Sequence, residues 1–184
     1  MKKLVLDNKE IRHLVSKICR TISGGSWRPD YVVGITRGGL VPAVMISQWL
    51  NCRMETLKVS LRDDSQCESN LWMAEDAFGY VSITDREFTE GDKSSKENRK
   101  NILIVDDIND TGATFNWIMK DWQSGCLPNE SSWKDVWGNN VKFAVLVDNL
   151  GSKCERKMDF CGREINKAEE DVWVDFPWEE WWAK

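Results

Sequence analysis

Asn101-Ile-Leu-Ile-Val-Asp-Asp-Ile-Asn-Asp-Thr-Gly-Ala-Thr-Phe115 runs four apolar residues straight into three acids, a glycine and two threonines. That order predicts a strand, a loop able to hold phosphate, and then a helix. Ile102 to Val105 is a short apolar run with β-branched residues, the pattern of a strand covered on both faces in a parallel sheet. Thr111 or Thr114 is placed to cap the following helix, and Gly112 stands where main chain must pass close to a ligand. N–H groups without intrahelical partners at such a helix start attract phosphate, and the threonine hydroxyls add donors. Residues 110 to 114 are therefore the expected phosphate site.

Asp106 and Asp107 fit two descriptions. Taken alone, the pair suits an acidic turn exposed to water at a strand end. Beside a phosphate loop, the same two carboxylates can accept hydrogen bonds from two ring hydroxyls of a ribose and hold magnesium directly or through water.

A second stretch repeats the theme. Tyr31-Val-Val-Gly-Ile-Thr-Arg-Gly-Gly-Leu-Val-Pro-Ala43 is again an apolar strand, followed by a basic residue, two glycines and an apolar helix to about Leu50. Gly38 and Gly39 let N–H groups face an anion, and Arg37 adds a fixed positive charge with several donors. An ordinary strand-to-helix turn with one exposed arginine would read the same way. With residues 110 to 114, it makes a second anion loop.

Together these strings resemble the type I phosphoribosyltransferases. The 101–115 stretch is similar to their phosphoribosyl-pyrophosphate signature, and Arg37-Gly-Gly-Leu-Val-Pro42 to the pyrophosphate loop of their purine branch. Asp171-Val-Trp-Val-Asp-Phe-Pro-Trp-Glu179 resembles the segment that closes over the base in bacterial xanthine-guanine (hypoxanthine) phosphoribosyltransferases. A lone Trp is ordinarily core, the more so in a chain with eleven of them, and Pro177 and Trp178 are what align Trp173 with the family. The resemblance implies an α/β fold: a central, mostly parallel sheet with helices on both faces and a small hood containing the C-terminal segment.

It also implies a division of labour. Arg37, Gly38, Gly39, Asp106, Asp107, Asp110, Thr111, Gly112, Ala113 and Thr114 would bind phosphoribosyl pyrophosphate, with Asp106 and Asp107 holding magnesium. Asp110 would be the general base near purine N7, although a plain helix N-cap would also fit that position. Ile108, Asn149, Trp173, Val174 and Asp175 would meet the base, Trp173 by stacking and the next two residues through main-chain groups. The peptide between Thr36 and Arg37 would be cis. The reaction implied is transfer of 5-phosphoribose to a 6-oxopurine, in a homodimer or homotetramer.

Three stretches depart from the family pattern. Residues 61–100 are longer than the active-site loop of the short bacterial enzymes, with Ser60-Leu-Arg62 where those carry Ser-Ser-Tyr, and a lid mobile without ligand is expected within them. Residues 124–140 look like an insertion lying far from the chemistry. The strand at 143–147 ends in Asp148-Asn149 where the family places a lysine that donates to the 6-oxo group. Asn149 through its amide, or Lys153, could take that part; a neutral amide implies weaker discrimination, which Asn149→Lys would sharpen.

Composition sets the outer limits. With 184 residues and 41% apolar content, one domain with a sizeable core is expected. A net charge of −5 with scattered basic residues, apart from those between Lys93 and Lys100, disfavours a nucleic-acid partner. Six cysteines without C-x-x-C spacing and a single histidine, His13, give no zinc set and read as reduced cytoplasmic thiols. Leu4-Val5-Leu6 is too short for a signal peptide, and no run reaches transmembrane length.

Periodicity predicts helices at 8–23, 40–50 and 111–123, and strands at 31–36, 54–60, 79–84, 101–106, 141–147 and 172–174. Alternating strands and helices imply a parallel sheet with ligands at the carboxyl ends of its strands. Two other functions stay open at this level: a regulatory sensor that binds the sugar phosphate without turnover, and an aspartyl-phosphate acceptor of receiver type. The latter accounts for neither Arg37-Gly38-Gly39 nor Asp110-Thr111-Gly112.

Overall fold

The computed structural model of the chain describes residues 2–59, 61, 67, 70–80 and 96–183. Five parallel strands form the central sheet: β2 (Tyr31–Thr36), β3 (Arg53–Lys58), β4 (Ile102–Asn109), β5 (Val141–Asn149) and β6 (Phe160–Ile165). Their spatial order is β3-β2-β4-β5-β6, every neighbouring pair parallel. From β2 the chain crosses outward through helix α2 (Leu40–Leu50) to β3, and from β4 outward the other way through α4 (Ala113–Gly125) to β5. The order therefore reverses between β2 and β4. That reversal opens a crevice at the carboxyl ends of those two strands, where open α/β sheets bind ligands.

Alternation along the strands explains why both faces are covered. Tyr31, Val33, Ile35, Ile102, Ile104, Phe143 and Val145 share one apolar cluster with α4 and with α3 (Leu71–Phe78). Val32, Leu103, Val105, Ala144 and Leu146 share another with α2 and α1 (Asn8–Gly24). Successive side chains of a strand point to opposite faces, so a strand packed on both sides is apolar at every position. Helix α1 buries Ile11, Leu14, Val15, Ile18, Cys19 and Ile22, the stripe its periodicity predicts, and begins with a capping box between Asp7 and Glu10.

The 172–174 strand, here β7 (Val172–Asp175), forms as expected and lies outside the central sheet, paired in parallel with β1 (Lys2–Val5). Other expectations change. Sequence patterning misses β1, α3 and β6 because each is short or half exposed. Of the strand expected at 79–84, Gly79 is the left-handed cap of α3 and Tyr80 makes a β-bridge, while residues 81–84 lie outside the described residues. The lid expected within residues 61–100 cannot be the whole stretch, since α3 buries Met73, Ala74, Ala77 and Phe78; Ser60, Arg62 and residues 81–95 lie outside the described residues.

Residues 124–140 do lie away from the carboxyl ends, because they lead into the start of β5, but they are no appendage. Trp133 is 1% exposed, its ring centroid lies 4.9 Å from Phe78 and 5.7 Å from Trp137, and its indole N–H donates to the Cys126 carbonyl at 2.8 Å. This aromatic cluster accounts for several of the chain's tryptophans as core. Trp133→Ala is expected to destabilise the fold by about 3–5 kcal/mol, the usual cost of emptying a buried aromatic site. Urea unfolding measures it as a lower midpoint at unchanged slope; a loss below about 1 kcal/mol would show this segment to be peripheral after all.

Candidate active site

Two loops meet in the crevice between β2 and β4. Residues 37–39 turn directly out of β2, and the Thr36–Arg37 peptide is cis, as the resemblance implies. Close approach explains the glycines that follow. A Cβ on Gly38 would overlap the carboxylate of Asp107, and one on Gly39 would come within 2.5 Å of the Val105 carbonyl and 2.9 Å of the Asp106 Cα. The first loop is thus seated on the end of β4 with no room for a side chain between them. Arg37 is exposed beside them.

At the end of β4 the acids are locally ordered. The Asp107 N–H donates to Asp106 Oδ1 at 3.0 Å, and the Ile108 N–H to Asp107 Oδ1 at 2.8 Å. Withdrawal from water pushes the Asp107 carboxyl above the ordinary carboxylate range, only partly offset by hydrogen bonds from its surroundings. Asp106 and Asp107 are hard oxygen donors, and among the described residues no cluster of three His, Cys, Asp or Glu exists to enclose a metal. Such a pair suits a cation like magnesium that completes its shell with water and substrate oxygens.

The second loop starts α4 differently from the sequence expectation. Neither Thr111 nor Thr114 caps the helix, and nor does Asp110; the N-cap is Gly112, at φ 84° and without a side-chain cap bond. Thr111 Oγ1 instead takes the Ala113 N–H at 3.3 Å. Because Gly112 has no side chain to cap it, the first turn beyond the Ala113 N–H keeps N–H groups for an anion. Gly112 is also needed for packing, because a Cβ there would overlap the main chain of Lys153 and Cys154, whose segment is tied down by the Lys153 N–H bond to the Thr111 carbonyl at 2.9 Å. Lys153 is thereby placed by its main chain against the loop that starts α4.

Asn149 has a different task from the base-edge donor considered above. It is buried, its amide donates to the Asp110 carbonyl at 2.8 Å, and its Oδ1 accepts the N–H groups of Gly151 at 3.1 Å and Lys167 at 3.0 Å. Its polar atoms are committed to main chain. Sequence reasoning missed the group that stands nearby: Lys167, in the turn between β6 and β7, whose ammonium lies 2.8 Å from Asp110 Oδ1. No local pattern marks it, since Asn166-Lys167-Ala168-Glu169 reads as an exposed polar turn.

Trp173 is brought to the same place, with Lys167 Nζ 6.0 Å from its ring centroid. Alternation along β7 buries Val172 and Val174 and leaves Trp173 40% exposed. Val174 is core, 5% exposed, and the Asp175 carbonyl is taken by the Leu6 N–H at 2.9 Å. Val174 and Asp175, expected to meet the base through main-chain groups, follow Trp173 along β7. Ile108 packs against the cluster that includes α1 and α2. A polar depression lined by Lys96, Arg99, Asn101, Asp135, Asn139 and Asn140 lies at the opposite edge, where β4 and β5 begin, and shares no residue with this site.

Comparison with known proteins agrees with the geometry. The chain is 29% identical over 149 residues to a xanthine-guanine phosphoribosyltransferase of Idiomarina loihiensis, covering 80% of this chain and 70% of that one. It is 28% identical over 156 residues to the like-named protein of Cereibacter sphaeroides, covering 84% and 71%. The crystal structure of a purine phosphoribosyltransferase from Pyrococcus horikoshii Ot3 shares the fold with a TM-score of 0.63 at 20% identity, over 98% of this chain and 96% of that one. A family model described as the phosphoribosyl transferase domain matches residues 4–181, and so, with both anion loops and the acid pair between them inside that span, the chain belongs to the phosphoribosyltransferase family of pentosyl-transferring enzymes.

Proposed function

We propose that the protein transfers 5-phosphoribose from phosphoribosyl pyrophosphate to a 6-oxopurine (xanthine, guanine or hypoxanthine) and releases pyrophosphate, a step of purine salvage. One observation carries this reading: Gly38 and Gly39 seat the first anion loop directly on Asp106 and Asp107, whose strand continues into the second. The substrate has the same order of groups, a pyrophosphate, two ring hydroxyls and a 5-phosphate. The names of the two bacterial relatives support a 6-oxopurine as acceptor.

Chemistry follows from charge. As pyrophosphate leaves the anomeric carbon the ribose becomes oxocarbenium-like, and a base nitrogen attacks from the opposite face. Arg37 and the N–H groups of residues 37–39 neutralise the leaving oxygens. Residues 110–114 hold the 5-phosphate through the uncapped start of α4. Asp106 and Asp107 accept from the ribose hydroxyls and would hold magnesium, which when bound adds positive charge beside the pyrophosphate. Asp110 takes the proton from N7 of the base, and the exposed face of Trp173 stacks on its ring. The same proposal includes a cytoplasmic homodimer or homotetramer; among the described residues no helix is long and apolar enough to cross a membrane.

The direct test incubates the protein with phosphoribosyl pyrophosphate, magnesium and, separately, xanthine, guanine, hypoxanthine, adenine, uracil and orotate. Pyrophosphate release confined to the 6-oxopurines is expected. Release with none would favour a sensor without turnover, and preference for a pyrimidine would place the chain in another branch.

Asp110→Asn keeps the main-chain carbonyl that Asn149 holds, so the loop should survive. Turnover is expected to fall by about 100-fold or more, the range for a lost general base, with binding of phosphoribosyl pyrophosphate little changed. An equal loss of affinity and rate would assign Asp110 to binding alone. Trp173→Ala should weaken base binding by about 1–3 kcal/mol, the cost of a lost base–aromatic stack, and leave the sugar pyrophosphate nearly unaffected. Calorimetric titration with the nucleoside monophosphate product reads this; unchanged affinity would remove Trp173 from the base site.

A further inference from the structure

Lys167 and Asp110 form a half-buried ion pair, their side chains 22% and 25% exposed, with Nζ and Oδ1 2.8 Å apart. Taking both charges partly out of water costs free energy that a merely structural pair in a polar turn has no need to incur. The pair is held rather than incidental. Asn149, itself buried, donates to the Asp110 carbonyl and accepts the Lys167 N–H, so one amide sets the main-chain spacing of both partners. The ammonium also lies 6.0 Å from the Trp173 ring centroid, at the outer limit of cation–π distance. Acceptor, donor and aromatic face are thus gathered at one point.

A carboxylate only accepts hydrogen bonds and an ammonium only donates them. Side by side they complement a molecular edge that carries a donor next to an acceptor. A 6-oxopurine protonated at N7 has that edge, its N7–H beside its 6-oxo group. A 6-aminopurine offers an amino group there, a donor set against a donor. We propose that Lys167 is the specificity-determining residue of the base site: it donates to the 6-oxo group while Asp110 accepts from N7, with Asn149 as the brace that positions both. This rests on the purine reading above and deepens it. It also replaces the expectation of poor discrimination, because the donor is charged and its fit to a 6-amino group is repulsive.

Hypoxanthine and adenine differ at position 6, so the ratio of their kcat/KM values isolates the contact. In the wild-type protein hypoxanthine should be strongly preferred. In Lys167→Met that ratio should fall by about 10- to 100-fold, the range for one lost charged hydrogen bond, and Lys167→Arg should retain more of it than Lys167→Met. If Lys167 only oriented Asp110, both bases would slow together and the ratio would stay fixed, which overturns the proposal. Titration with inosine and adenosine monophosphates gives a readout independent of turnover: Lys167→Met should lose affinity for the first alone, and an equal loss for both would also overturn it. A wild-type protein that transfers to no purine would overturn the purine reading together with this inference, whereas an active wild type with an unmoved ratio overturns this inference alone.

Discussion

Everything at the active edge depends on β4 being buried on both faces and paired on both sides. Ile102 to Val105 are 0% exposed, flanked by β2 and β5 and covered by helices above and below. A strand so enclosed has one way to bring polar groups to water, which is to run out at its carboxyl end. Asp106 and Asp107 stand at that end, both half-buried. Because the strand order reverses between β2 and β4, the exit of β4 faces the exit of β2, and the glycines of residues 38 and 39 let the two exits touch. The proposed substrate would span the two loops across that contact.

The base end is built on a different constraint. The position where the family places a lysine is occupied here by Asp148 and Asn149, and both are drawn into packing: Asp148 accepts from Asn109 at 2.8 Å, and Asn149 ties Asp110 to Lys167. A buried amide whose nitrogen donates to one main-chain carbonyl and whose oxygen accepts two main-chain N–H groups is a rigid fixture. Charge is then supplied from the next turn, by a lysine already paired with the acid it works beside. Precision at this end comes from second-layer hydrogen bonds rather than from the residue at the strand end itself.

How much of this was legible in the sequence follows from where each signal resides. The strands β2, β4 and β5 were readable because burial on both faces writes a continuous apolar run, and α1 because a one-sided helix writes a 3.6-residue stripe. Lys2–Val5 carries no such mark: its partner is at the far end of the chain, and its pattern is mostly exposed. Phe160–Ile165 is an edge strand with mixed polarity, and Leu71–Phe78 is two turns long inside a polar stretch. At the site, Arg37 to Gly39 and Asp106 to Thr114 were readable because their spacing is local. Lys167 was not, since its meaning lies in a tertiary contact with Asp110, and neither was the brace role of Asn149. Trp133 and Trp137 looked peripheral because a polar, glycine- and proline-containing neighbourhood conceals an aromatic cluster that forms only against Phe78 and Trp122.

In the proposed site, one edge of the sheet holds phosphate, ribose and base in that order, from α4 across β4 to the hood. A crystal structure with inosine monophosphate bound tests it most directly. The 5′-phosphate is expected within residues 110–114, the ribose hydroxyls on Asp106 and Asp107, and the base on Trp173 with its 6-oxo group at Lys167 Nζ. A nucleotide seated elsewhere, or turned so that its base lies away from Trp173 and Lys167, would contradict it.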